Sequence, residues 1–256
     1  MTTLVCVSPK TTVLITAALP LAYLLFYAIM EKRHYSKELY NPSGDTCEHH
    51  LSWNEKLALM WQSLRGVVSF SVGLFVEVLV LGSMVTTLAF QNSPFDPRDH
   101  YVYYVLMVTM GAFIGRSYIG ILSACNPPCS LAVKKTWILS GVQLILGTFL
   151  AFAAWYRFLP NVVLVLVLLL AVGVLSGMLY VNTILAAAQD EDFRSKVFSR
   201  GFSLVAIGGG CLMAALLGLL VEPVFREHCL EVSSSHQFCF TRSMMEWNST
   251  DSCVTR

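Results

Sequence analysis

Long apolar runs separated by short polar stretches set the pattern of this chain. Six runs, at about residues 12–30, 66–90, 101–125, 136–156, 162–187 and 197–221, are long enough to cross a bilayer, since a spanning helix needs roughly 17–25 apolar residues. None shows the alternation of a barrel strand. A backbone surrounded by lipid must also satisfy its own hydrogen bonds, which a helix does within one segment. The pattern predicts an all-α integral membrane protein, a six-helix up-and-down bundle. The polar pieces between the runs are too short for a second folded unit. The expected organisation is a polytopic membrane domain over 1–225, then a polar tail over 226–256 that is lumenal and poorly ordered.

Composition agrees. Of the 256 residues 55% are hydrophobic and 13% charged, where soluble domains carry roughly 25% charged residues. A net charge of +1 supplies no basic face for nucleic acid, so the first expected partner is the lipid bilayer itself. Cys47, His49 and His50 match no zinc spacing and lack a fourth ligand, so neither metal nor other cofactor is expected. No catalytic constellation of His-Glu-x-x-His or Gly-x-Ser-x-Gly type falls in the apolar runs, and no enzyme is expected.

Charge orients the bundle. Lys32, Arg33, Lys37, Lys56, Arg65, Lys134, Lys135, Arg194, Lys196 and Arg200 collect at one end, and six basic residues, Arg157 among them, at the other. The richer end is expected to be cytoplasmic, which places both termini on the lumenal side. The sequon Asn248-Ser249-Thr250 agrees, because glycosylation happens in the lumen. Cys229, Cys239 and Cys253 lie on that side too, and an oxidising lumen lets two of them pair without saying which. The competing reading, Cys253 to Arg256 as a prenylation box on a cytoplasmic tail, is not expected, since a terminal Arg is not usual for that motif.

Two ionisable residues, Glu77 and Arg116, fall deep inside consecutive apolar runs. Charge in hydrocarbon is costly, so such residues face a bundle interior or a wet path. Glu77 shares a helix face with Gly66, Ser69 and Gly73, small residues that admit a close neighbour. Arg116 shares one with Thr109, Ala112, Gly120 and Ser123, while Gly111 and Gly115 form a close-packing pair on a neighbouring face. The two charges lie at similar depth. Either they form a structural ion pair, or Arg116 meets an anionic group while Glu77 titrates or gates. Further polar groups line the later runs: Ser140, Gln143 and Gly147; Gly173, Ser176, Gly177 and Tyr180, followed by Asn182 and Thr183; and Ser203 with Gly208-Gly209-Gly210.

At this point the chain resembles the C-terminal half of the battenin family, the Batten-disease lysosomal membrane proteins. The resemblance is carried by Leu159-Pro160, the apolar helix after it and Tyr180-Val181-Asn182-Thr183. It is carried also by Gly111 to Ser117 around Arg116, by Glu77, and by Ser8-Pro9-Lys10-Thr11-Thr12. It runs from about residue 8 to Cys229 and implies a fold like half of a major-facilitator transporter, with the stretch 31–55 as the central cytoplasmic loop. It implies lysosomal or vacuolar residence, a role in lysosomal pH and basic amino-acid balance, and export of small polar or phosphate-bearing solutes. Glu77, Arg116, Gln143, Tyr180, Asn182 and Thr183 become the substrate or proton pathway, and Asn248 the glycosylation site. Nothing resembling the family's N-terminal half is found, so the chain is expected to be a fragment whose partners are that half or other membrane proteins. Glu55 to Met60 is a poor copy of the family's acidic-dileucine signal, and the tail after Cys229 does not resemble the family. The competing reading is a non-transporting lysosomal scaffold that acts through protein partners.

Overall fold

The computed structural model describes residues 52–91, 93–96, 99–125, 133, 135–187, 193–233, 236–239 and 241. The run expected over 12–30, the loop residues Cys47, His49 and His50, and Cys253 and Asn248 in the tail lie outside these. Five helices fill the described part: α1 (Trp53–Leu79), α2 (His100–Cys125), α3 (Thr136–Tyr156), α4 (Val162–Ala187) and α5 (Phe193–Val232). All five are long and apolar enough to cross a membrane, and no strand occurs among the described residues.

α1 starts at Trp53 rather than near residue 66. The backbone N–H of Ser52 donates to the Glu55 carboxylate at 2.8 Å, the return half of a capping box that satisfies a donor the helix start would otherwise orphan. Glu55 therefore belongs to a helix cap. At its other end α1 changes pitch, through a π turn (Val80–Met84) and a 3-10 turn (Val85–Thr87). There the Thr86 and Thr87 hydroxyls donate to the carbonyls of Ser83 and Met84, each at 3.0 Å.

α3 ends on Arg157 in the left-handed conformation (φ 51°), whose N–H donates to Ala153 O at 3.0 Å. α4 opens after Pro160 with Asn161 Oδ1 accepting the Val163 N–H at 3.1 Å, a side-chain cap.

α5 exceeds the expected 197–221 at both ends and carries Pro223 within it. The boundary expected at 225–226 thus falls inside a helix. Beyond it the chain turns back, Cys239 pairs with Cys229 across a Cα–Cα distance of 5.8 Å, and Thr241 donates its N–H (3.0 Å) and hydroxyl (2.7 Å) to Thr86 O. The start of the tail expected to be poorly ordered is therefore structured, because a covalent link and two hydrogen bonds fix it to helix ends.

Cross-helix contacts give the directions. Gly73 meets Gln143 and Gly147 meets Val76, so α1 and α3 run the same way; Gly210 meets Ser71 and Gly218 meets Ser83, so α5 runs with them. Phe70 packs on Tyr180 and Glu77 on Ser176, which sets α4 antiparallel to α1. The closest approach is α2 against α4. A Cβ added at Gly111 or Gly115 would strike the carbonyls of Leu170 or Val174, and one at Gly173 or Gly177 those of Val108 or Ala112. Four glycines on two facing helices thus let the backbones touch, the contact that drives association where lipid removes the hydrophobic advantage.

Apolar burial divides into two clusters. The larger gathers Val76, Val80, Val85 and Leu88 of the first helix and its turns with Tyr104, Leu150, Val165 and Leu169. The smaller holds Val67, Phe70 and Leu179 near the opposite end.

Candidate functional site

Between those clusters α4 presents Ser176 and Tyr180, one turn apart and therefore on one face. The Ser176 hydroxyl, itself buried, donates to the carboxylate of Glu77 on α1. One turn along, the Tyr180 ring carries the guanidinium of Arg116 from α2, with Cζ 4.8 Å from the ring centroid. The Tyr180 ring is held in turn by the edge of Phe70, centroids 5.8 Å apart at 64°.

Glu77 and Arg116 flank the same face of α4. Among the described residues, however, no ion pair joins them: the carboxylate has a serine and the guanidinium an aromatic face. A guanidinium stacked on a ring is positioned by the quadrupole while its in-plane N–H donors stay available. Arg116 is exposed and Glu77 half-buried. The arrangement is therefore an anion-accepting group and a proton-accepting group on either side of one helix face.

Gln143 stands behind this pair. Fully buried on α3, its Nε2 donates to Gly73 O at 2.9 Å. Gly73 lies one turn before Glu77, so the amide braces the turn that carries the carboxylate. Among the described residues its Oε1 has no hydrogen-bond partner.

Asn182 is placed differently. Its Nδ2 donates to Met178 O at 2.7 Å and lies 2.8 Å from the Tyr118 hydroxyl, while its Oδ1 accepts the Val133 N–H at 2.7 Å. Those bonds tie α4 to α2 and to the segment before α3 and leave the amide fully engaged. Two residues beyond Tyr180 means about 200° around a helix of 3.6 residues per turn, hence the opposite face. Thr183 is buried against Gly66, its hydroxyl without a hydrogen-bond partner among the described residues. Of the six pathway residues expected from sequence, the structure gathers Glu77, Arg116 and Tyr180, places Gln143 behind them, and sets Asn182 and Thr183 a turn away. Ser176 joins the site directly, although the sequence marks it only as part of a polar face; its spacing of four from Tyr180 is the signal that selects it. No group of three or more metal-binding side chains occurs among the described residues.

Comparison with known proteins gives a consistent picture. The model of the CLN3 protein family matches residues 45–228. Battenin of Canis lupus familiaris is 27% identical over 172 residues, 66% of this chain and 37% of that protein. Protein BTN1 of Kluyveromyces lactis is 26% identical over 251 residues, 93% of this chain and 62% of that protein. Protein BTN1 of Yarrowia lipolytica is 27% identical over 243 residues, 87% of this chain and 59% of that protein. The chain thus spans less than two thirds of the length of each of these relatives. No solved structure matches it.

Proposed function

The chain belongs to the CLN3 protein family, and from that premise we propose that it forms the solute-handling half of a lysosomal or vacuolar membrane carrier. In this reading Arg116 binds the phosphate or carboxylate of a small polar solute. Tyr180 holds the guanidinium in place, and Glu77, steadied by Ser176, takes and releases the proton that couples movement to the lysosomal pH gradient. The observation that carries it is that Arg116 is stacked on Tyr180 and has no carboxylate partner among the described residues. A charge placed within a membrane-spanning helix, with no carboxylate partner among the described residues, calls for a ligand or a wet path to offset its cost. Basic amino-acid balance then follows from the same proton coupling.

The orientation supports this reading. The Cys229–Cys239 bridge joins the end of α5 to the end of the first helix through Thr241 and Thr86, while Lys56 and Lys135 lie at the opposite helix ends. Disulfides persist in oxidising compartments, so the bridge supports a lumenal reading of that end, independently of the basic-residue rule. A sixth span over 12–30, a major-facilitator-like arrangement, glycosylation at Asn248 and closure of the cavity by the remainder of a longer protein complete the proposal.

The test is uptake of radiolabelled glycerophosphodiesters and of arginine into sealed vesicles carrying the full-length protein, with an imposed pH gradient. Arg116→Lys, which keeps the charge but loses the fork and the stack, lowers uptake about tenfold, the equivalent of 1.4 kcal/mol. Glu77→Gln abolishes the dependence on the pH gradient. Uptake unchanged by both substitutions, or no uptake at all of these solutes, contradicts the proposal and favours a scaffold that acts through protein partners.

A further inference from the structure

A second basic side chain, at the end of the bundle that carries the disulfide, is in an unusual state. Arg157 closes α3 in the left-handed conformation, and its guanidinium enters a knot of helix ends. Nη1 donates to Cys229 Sγ at 2.6 Å and lies 3.7 Å from Cys239 Sγ; Nη2 donates to the carbonyls of Ala89 at 2.9 Å and Phe238 at 3.3 Å. Every one of these acceptors is neutral. Among the described residues no carboxylate pairs with Arg157. Burial pushes its pKa below the usual arginine value, yet a guanidinium stays protonated in proteins. Neutral acceptors satisfy donor geometry without cancelling charge, so a positive charge is left without a compensating carboxylate among the described residues.

That side chain lines a half-open cavity of about 210 Å³ together with Leu88, Phe90, Gln91, Leu159 and Pro160. Leu159 and Pro160 lead directly into the first turn of α4, where Asn161 Oδ1 caps the Val163 N–H and the helix start adds positive partial charge nearby. The site is distinct from the one around Glu77. Leu88 lies about three helical turns beyond Glu77, roughly 16 Å by helix rise.

We propose that this cavity binds a small oxyanion, a phosphate or carboxylate group of either a soluble solute or a lipid headgroup, with Arg157 as its counter-charge. The inference does not depend on the transport reading. It rests on a guanidinium that has no carboxylate partner among the described residues and lines a cavity beside a helix start.

The test uses the full-length protein in phosphatidylcholine nanodiscs, titrated with inorganic phosphate at constant ionic strength while thermal unfolding is followed. Gln91→Glu leaves every Arg157 bond in place and sets a carboxylate at the cavity wall, so it probes the site without endangering the fold. Phosphate raises the unfolding midpoint of the wild type and of Arg116→Gln, and Gln91→Glu weakens the apparent affinity about tenfold or more. In a second arm, nanodiscs containing phosphatidic acid receive no soluble phosphate. A rise in the midpoint there, again removed by Gln91→Glu, assigns the site to a headgroup; a response to soluble phosphate alone assigns it to a solute. Stabilisation by neither source overturns the proposal. So does stabilisation untouched by Gln91→Glu, or stabilisation lost in Arg116→Gln.

Discussion

Ser176 and Asn182 are both small polar residues on α4, six positions apart, and the structure gives them opposite tasks. Ser176 donates to a half-buried carboxylate. Its removal leaves Glu77 with no side-chain hydrogen-bond partner among the described residues, and hydrogen bonds to charged groups contribute about 1.5–3 kcal/mol. Ser176→Ala is therefore expected to lower stability by that order in a detergent-resistance melt and to alter the pH response of uptake. Asn182 holds Tyr118 and the Val133 N–H. Asn182→Ala is expected to reduce folded yield while leaving uptake per folded molecule within about twofold, because an interhelical hydrogen bond contributes to stability rather than to solute contact. Vesicle uptake normalised to monodisperse protein separates the two effects. That Glu77 and Arg116 face inward is readable from their place in apolar runs alone. That they have separate neutral partners is not, because sequence spacing fixes the face of a residue on its own helix but not the neighbour that face meets.

The same limit operates between helices. Gly111 and Gly115 are legible as a close-packing pair, yet spacing names no partner helix; the structure supplies Gly173 and Gly177. Because a Cβ at Gly177 would meet the Ala112 carbonyl and the Arg116 N–H, backbone rather than a flexible side chain, the two helices must separate to admit one. Gly177→Ala is expected to destabilise the bundle by about 1–3 kcal/mol, the usual cost of overpacking, and to displace the turn that carries Arg116. Gly141→Ala has open space around the new methyl and is expected to be neutral or to stabilise by up to about 1 kcal/mol through helix propensity. Unfolding midpoints of the two variants side by side check the contrast. The early start of α1 is readable too, in the Ser52-x-x-Glu55 cap; counting hydropathy misses it because Glu55, Lys56, Gln62 and Arg65 make that stretch polar. The return of Cys239 to Cys229 and the pitch change at Val80 are not readable, since both depend on what the helix ends touch.

For the whole molecule, up-and-down helices bring Lys56 and Lys135 to one end and Gln91, Arg157 and the disulfide to the other. Cysteines introduced at Lys56 and Lys135 are expected to react with an impermeant maleimide on the cytoplasmic side of sealed vesicles, and one at Gln91 only from the opposite side. Labelling of all three from one side would remove the orientation on which the proposed proton coupling depends. The central claim is narrower: Arg116 serves a ligand and not Glu77. Exchanging the charges tests it most directly, by measuring glycerophosphodiester and arginine uptake in vesicles carrying full-length Glu77→Arg, Arg116→Glu protein that has passed a folding assay. The account predicts a double variant that folds and carries nothing, because a carboxylate at position 116 would repel the anion that Arg116 holds. Recovery of wild-type uptake in the double variant, when each single variant is inactive, would show instead that the two charges exist to pair with each other.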